Sequence, residues 1–200
     1  RPKELLRRMQ MIYQMPDTAL NPKHKVKKIL GRPLNFYFGM SEKERDLRIL
    51  ELLEMIELEP EYAERLPDEL SGGEKQRVCI ARALAAEPEL IICDEVTSAL
   101  DQLVAKGILK LLQKLQNELK VSYMFITHDL DTVKAISDHI VVMYQGKVVE
   151  QGQKTVILDP PYEPYTDLLL SSVPEMDPDW LNRVIEHRQK LADKGVNIRT

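Results

Sequence analysis

Cysteine is scarce in this 200-residue chain: only Cys79 and Cys93 occur, both in apolar surroundings and without C-x-x-C spacing. That argues against a disulfide scaffold or a thiolate metal site, and both read as core fillers in a reducing cytoplasm. Charge of one sign is also lacking. The net charge is −4, so no basic field argues for nucleic acid. No apolar stretch approaches the ~20 residues that span a bilayer, and no secretory signal is visible. Internal repeats and low-complexity segments are absent too. The chain starts at Arg1 rather than at methionine, so its beginning is expected to be artificial or incomplete. What is present is an ordinary globular composition, 44% apolar and 30% charged. This suffices for one domain, or one large domain with a subdomain and a tail.

Residues 9–13 predict a short strand that delivers Gln14 into a loop broken by Pro16 and Pro22. Residues 23–40 are mixed and give no clear pattern. From Ser41 the pattern is helical: Ser41 and Glu44 form a capping box, and Leu47, Leu50, Leu53 and Ile56 recur at helical spacing. Pro60 and Pro67 punctuate a short helical segment, and a further helix opens at Gly72-Gly73 and runs to about Glu87. After Pro88 strands and helices alternate: strand 90–93, helix 102–119, strand 123–126, helix 130–137 and strands 139–144 and 147–151. Gln145-Gly146 supplies a hairpin turn between the last two. Fully apolar strands in this order predict a buried, mostly parallel sheet. Beyond Gln153 a helical tail is interrupted by Pro160, Pro161, Pro164, Pro174 and Pro178.

Three places carry chemistry. Ser71-Gly72-Gly73 opens a helix whose first N–H groups lack internal partners and sit at the positive end of its dipole, where they attract anions. Glycine removes the Cβ that would keep a phosphate from the backbone. An isolated Ser-Gly-Gly is also an ordinary helix cap. Asp94 and Glu95 stand where an apolar strand ends, the edge at which open α/β sheets bind ligands. There an aspartate can hold Mg²⁺ and a neighbouring glutamate can deprotonate a water; the alternative is two acids capping the next helix. Thr127-His128-Asp129 repeats the placement after an apolar strand, and an imidazole there can donate to a phosphate oxygen. Gln14, one strand away, reaches the same edge or is a plain loop residue. His24, His139 and His187 have no such context and read as structural or surface residues.

Taken in order, these residues closely resemble the ATP-binding-cassette ATPases. Gln14 resembles the Q-loop glutamine, Leu70-Ser71-Gly72-Gly73-Glu74 the signature motif, and Leu90-Ile91-Ile92-Cys93-Asp94 the Walker B strand. Glu95 occupies the position of the catalytic base, Ser98-Ala99-Leu100-Asp101 resembles the D-loop, and His128 the switch histidine. The likeness covers roughly residues 9–153. It implies an α/β P-loop NTPase of this type, with a mostly parallel sheet incomplete at the N-terminus, a helical subdomain and a helical C-terminal tail. By that likeness Glu95 and His128 are catalytic. Gln14, Ser71, Gly72, Gly73, Glu74 and Asp101 contact ATP, and Asp94 with Gln14 serves Mg²⁺. The expected division is a partial ATPase domain at 1–153 (helical subdomain about 15–87, catalytic core 88–153) and an extension at 154–200.

Gln14-x-Pro16, Leu20-Asn21-Pro22, Thr97-Ser98-Ala99-Leu100-Asp101 and the tail Pro164-Tyr165-Thr166-Asp167-Leu168-Leu169 with Ser172-Val173-Pro174 resemble ATPases of oligopeptide, dipeptide and nickel importers. That subfamily implies a second ATPase subunit, two transmembrane permease subunits, an extracytoplasmic binding protein and a peripheral place on the cytoplasmic face of the membrane. The chain departs from the pattern in several ways. No G-x-x-x-x-G-K-[ST] phosphate loop occurs, Val96 stands where proline is usual, Met15 where an acid is common, and Glu74 where glutamine is commoner. The chain therefore reads as a C-terminal portion of a longer cassette, inactive alone. No cysteine follows Cys93, so no iron–sulfur centre is expected in the tail. Two other readings stand beside the importer: a soluble cassette ATPase acting on ribosomes or DNA, and a non-catalytic interaction protein that truly lacks the phosphate loop.

Overall fold

The computed structural model describes residues 2–172 together with Trp180, Asn182, Ile185 and Glu186. Expectations touching Val173, Pro174, Pro178 and His187 lie outside these residues. The chain divides into two compact units, one ending at His128 and the other beginning at Asp129.

In the first unit, helix α1 (Lys3–Arg8) leads into strand β1 (Met9–Ile12), and the four-residue helix α2 (Pro16–Ala19) follows. Helices α3 (Val26–Phe38) and α4 (Glu42–Met55), two 3₁₀ turns (Pro60–Glu64 and Pro67–Glu69) and α5 (Gly72–Leu84) form a helical layer. Strand β2 (Leu90–Asp94), helix α6 (Gln102–Leu119) and strand β3 (Ser122–Ile126) complete the unit. The sheet is parallel in the order β1-β2-β3, with Ile12 beside Cys93 and Asp94 beside Ile126. All three strands therefore end at one edge.

Residues 23–40 were opaque in sequence because Gly31 and Pro33 interrupt what is in fact α3. Gly31 is explained by packing: a Cβ there would come 2.9 Å from Arg45 Cδ of α4. Gly39, at φ 65°, ends the helix in the left-handed region that favours glycine. The stripe expected on α4 needs correction. Leu47 and Leu50 are 58% and 43% exposed, whereas Ile49, Leu52, Leu53 and Ile56 are buried. A purely i+3 series drifts around a helix of 3.6 residues per turn, and only a mixed three-and-four series stays on one face.

Helix α5 is the hub of the unit, packing against α2, α3, α4, α6 and β1. Ile12, Ile91 and Cys93 on one sheet face are fully buried, as are Ile108, Leu111, Leu112 and Leu115 of α6. The other face is open: Met9, Met124 and Ile126 are 36%, 53% and 48% exposed. The expectation of strands buried throughout thus fails for β3, whose burial alternates because one face of the sheet has no cover among the described residues.

In the second unit, α7 (Leu130–Ile136) precedes an antiparallel pair, β4 (His139–Tyr144) and β5 (Lys147–Gln153). Gln145 and Gly146 join them, both at positive φ (46° and 77°), as a two-residue hairpin turn of the mirror-image type requires. Helices α8 (Lys154–Ile157) and α9 (Pro164–Ser171) follow, with Tyr144 and Tyr165 ring centroids 4.3 Å apart.

Candidate functional site

The site begins with the ends of three strands. Past Asp94, the Glu95 N–H donates to the Ile126 carbonyl at 2.9 Å, extending the β2–β3 ladder by one residue. Glu95 itself adopts a left-handed backbone at φ 46°, an uncommon conformation for a residue with a Cβ. The turn is fastened by Ser98, whose N–H and Oγ both donate to the Glu95 carbonyl, at 3.1 and 2.9 Å.

Two flanking strands deliver partners to the Glu95 carboxylate. Gln14, two residues past β1, donates from Nε2 to Glu95 Oε2 at 2.6 Å and approaches Ser98 Oγ at 3.4 Å. His128, two residues past β3, places Nδ1 3.1 Å from Glu95 Oε1. An ionised carboxylate only accepts, so Nδ1 carries the proton in this contact and Nε2 is the ring's second hydrogen-bonding atom. The glutamate side chain is 27% exposed and the imidazole 76%. The site is therefore open on the histidine side.

A second cluster forms the start of α5. Ser71 Oγ accepts from the Glu74 N–H at 3.4 Å, and Glu74 Oε2 accepts from the Ser71 N–H at 2.7 Å, a complete capping box. The Tyr62 hydroxyl donates to Glu74 Oε1. That bond, with the Ser71 N–H, holds the Glu74 carboxyl below its ordinary range. The glycines permit close approach. A Cβ on Gly73 would stand 2.7 Å from Val104 Cγ1 of α6, and one on Gly72 would stand 3.7 Å from Leu100 Cδ2. Asp101 caps α6, accepting from the Leu103 and Val104 N–H groups at 3.1 and 3.0 Å.

The structure thus brings Gln14, Glu95 and His128 into direct contact. It sets Ser71, Gly72, Gly73 and Glu74 beside the Leu100-Asp101 loop as a separate cluster. Asp94 closes β2, half-buried. Among the described residues no group of three or more His, Cys, Asp or Glu side chains is arranged to hold a metal ion. Sequence reasoning overlooked Ser98 as a member of the site, although it lies within the D-loop-like run. It also missed Tyr62, whose bond to Glu74 spans 12 residues and has no local signature.

Comparison with known proteins follows the same lines. Residues 1–98 match the family model described as ABC transporter, and residues 149–195 match the oligopeptide/dipeptide transporter, C-terminal region. The oligopeptide transport ATP-binding protein OppF of Bacillus subtilis is 47% identical over 189 residues, covering 94% of this chain and 61% of that protein. The dipeptide transport ATP-binding protein DppF of Escherichia coli is 42% identical over 172 residues, 86% of this chain and 52% of that one. The chain thus spans between about half and three fifths of the length of these relatives. Among solved structures, a dimeric ATP-binding cassette in a post-hydrolysis state bound to ADP and Pi superposes with a TM-score of 0.63 at 35% identity. It covers 75% of this chain and 65% of that one. By these matches the chain is similar to the ATP-binding-cassette transporter ATPases, with residues 149–195 similar to the C-terminal region of the oligopeptide/dipeptide transporters.

Proposed function

We propose that the chain is the part of an ATP-binding subunit that couples ATP hydrolysis to the uptake of peptides through an ATP-binding-cassette importer. One observation carries the reading: Gln14, Glu95 and His128, from three adjacent parallel strands, meet at the carboxyl edge of the sheet within hydrogen-bond distance. A carboxylate held between an amide and an imidazole is oriented to accept a proton from water. His128, open to solvent, is placed to meet a phosphate oxygen.

Ser71, Gly72 and Gly73 provide bare N–H groups and a hydroxyl at a helix start, suited to the triphosphate held by a second ATPase subunit. Glu74 keeps that start in shape and Asp101 caps the adjoining helix. Asp94 fits Mg²⁺, a hard cation that takes one or two carboxylates beside phosphate oxygens and waters, with the side-chain oxygen of Gln14 as a further donor. When bound, Mg²⁺ neutralises charge developing on the transferred phosphoryl group. Two membrane-spanning permease subunits and, through them, an extracytoplasmic binding protein complete the assembly. Among the described residues no helix is long and apolar enough to cross a membrane. We place the subunit peripherally on the cytoplasmic face, by its likeness to importer ATP-binding proteins. We assign residues 1–153 to the ATPase domain and 154–200 to its extension.

The test is Glu95→Gln in the full-length protein. Turnover is expected to fall by ~10²–10⁴ while ATP binding survives. Near-normal hydrolysis in this variant removes Glu95 from the role of base.

A further inference from the structure

Helix α5 reaches back to earlier segments through three basic side chains. Arg77 Nη1 donates to the Ile56 carbonyl at the end of α4, at 2.7 Å. The other two close on α2. Lys75 Nζ lies 2.5 Å from Asp17 Oδ1, with 16% of the lysine side chain exposed, and Arg82 Nη1 donates to the Ala19 carbonyl at 2.5 Å. Lys75 and Arg82 are two helical turns apart, so they share one face of α5.

A helix of four residues has no stability of its own. Its place must come from what it touches: Pro16 and Leu20, buried at its two ends, and the two cations of α5. Gln14 stands two residues before this helix, and its amide sits on Glu95. The chain from Gln14 to Leu20 is therefore anchored at one end on the carboxylate and along its length on the helix that opens with Ser71-Gly72-Gly73.

We propose that Lys75 and Arg82 are positioning residues that fasten α2 to α5, so that α2 and α5 move as one body and the Gln14 amide meets Glu95 only when α5 is seated. The two clusters of the site then sense each other through α2. This rests on the reading of Glu95 as the hydrolytic base. The fastening itself is independent of that reading. The bonds are suited to it: Lys75 is 16% exposed against 63% for Asp17, so removing Asp17 leaves a largely buried ammonium uncompensated, and removing Arg82 leaves the Ala19 carbonyl without its donor. A displacement of about 1 Å at Gln14 is enough to cost catalysis heavily.

The experiment uses the full-length protein with Asp17→Asn, Lys75→Met, and the exchanged pair Asp17→Lys with Lys75→Glu. Amide hydrogen exchange is followed at Ala19 and Leu20, which donate to Met15 and Pro16 at 3.2 and 3.0 Å, with α4 amides as the internal reference. Each single variant is expected to speed exchange at Ala19 and Leu20 about tenfold or more without changing α4. It is also expected to lower kcat roughly fivefold or more with KM for ATP within about twofold. The exchanged pair restores most of both. Unchanged exchange at Ala19 and Leu20 in the single variants overturns the proposal, as does a restored exchange rate with kcat still depressed. Should the exchanged pair lose α4 protection, Arg82→Lys against Arg82→Gln decides: retention by lysine alone supports fastening, and equal losses overturn it. A wild-type protein that hydrolyses no ATP defeats the parent reading, and exchange alone then judges the fastening.

Discussion

At Gly73 one carbon atom sets how closely two helices approach. An alanine methyl would stand 2.7 Å from Val104 Cγ1, so Gly73→Ala is expected to lose about 1–3 kcal/mol despite its better helix propensity. Pairing it with Val104→Ala should recover most of the loss, as read by urea unfolding of the full-length protein. Simple additivity of the two changes would defeat the packing explanation. Gly107 on α6 is the contrasting case: nothing lies within 4 Å of its missing methyl. Gly107→Ala should therefore stabilise by roughly 0.5–1 kcal/mol. Glu74 adds a pH signature. Its carboxyl is held low by the Tyr62 hydroxyl and the Ser71 N–H, so its contribution to stability is complete above the ordinary carboxylate range. That contribution fades as pH falls through the lowered value. Glu74→Gln should flatten that acid slope in unfolding curves taken across it. The cysteines were legible as core from their apolar neighbours alone. Burial pushes the Cys79 thiol up to about 11 and that of Cys93 up to about 12, which leaves both as inert thiols.

Among the elements, the two serine caps make a controlled pair. Ser41 and Ser71 each head a full capping box, yet only Ser71 is assigned to the nucleotide. Ser41→Ala should cost about 1 kcal/mol of stability and leave ATP hydrolysis unchanged. Ser71→Ala should cost a similar amount and depress hydrolysis as well. Equal activity in the two variants would take Ser71 out of the site. Caps of this kind are why several elements could be read from sequence. Asp101 starts α6 and Lys120, at φ 56°, ends it, so residues 102–119 were bounded correctly. Where breakers sit inside an element the pattern misleads: Pro33 hid α3, and the i+3 series on α4 begins with Leu47 and Leu50, which the packing leaves to solvent, and reaches the core only at Leu53 and Ile56.

For the whole molecule, the parallel order β1-β2-β3 explains why Gln14, Glu95 and His128 could be placed on one edge from sequence. Parallel strands deliver their following residues to the same side. Their mutual hydrogen bonds were not legible, because they depend on the left-handed turn at Glu95 and on Ser98 folding back over it. The ties from Lys75 and Arg82 to α2 were equally hidden, since they join residues 58 and 63 positions apart. The uncovered side of the three-stranded sheet has a practical result. Met9, Met124 and Ile126 present a greasy surface to water, and each square ångström of it that two molecules hide from water is worth roughly 25 cal/mol. Handled by itself at high concentration, this polypeptide will clump through that side, and a lysine in place of Met124 is the mildest remedy.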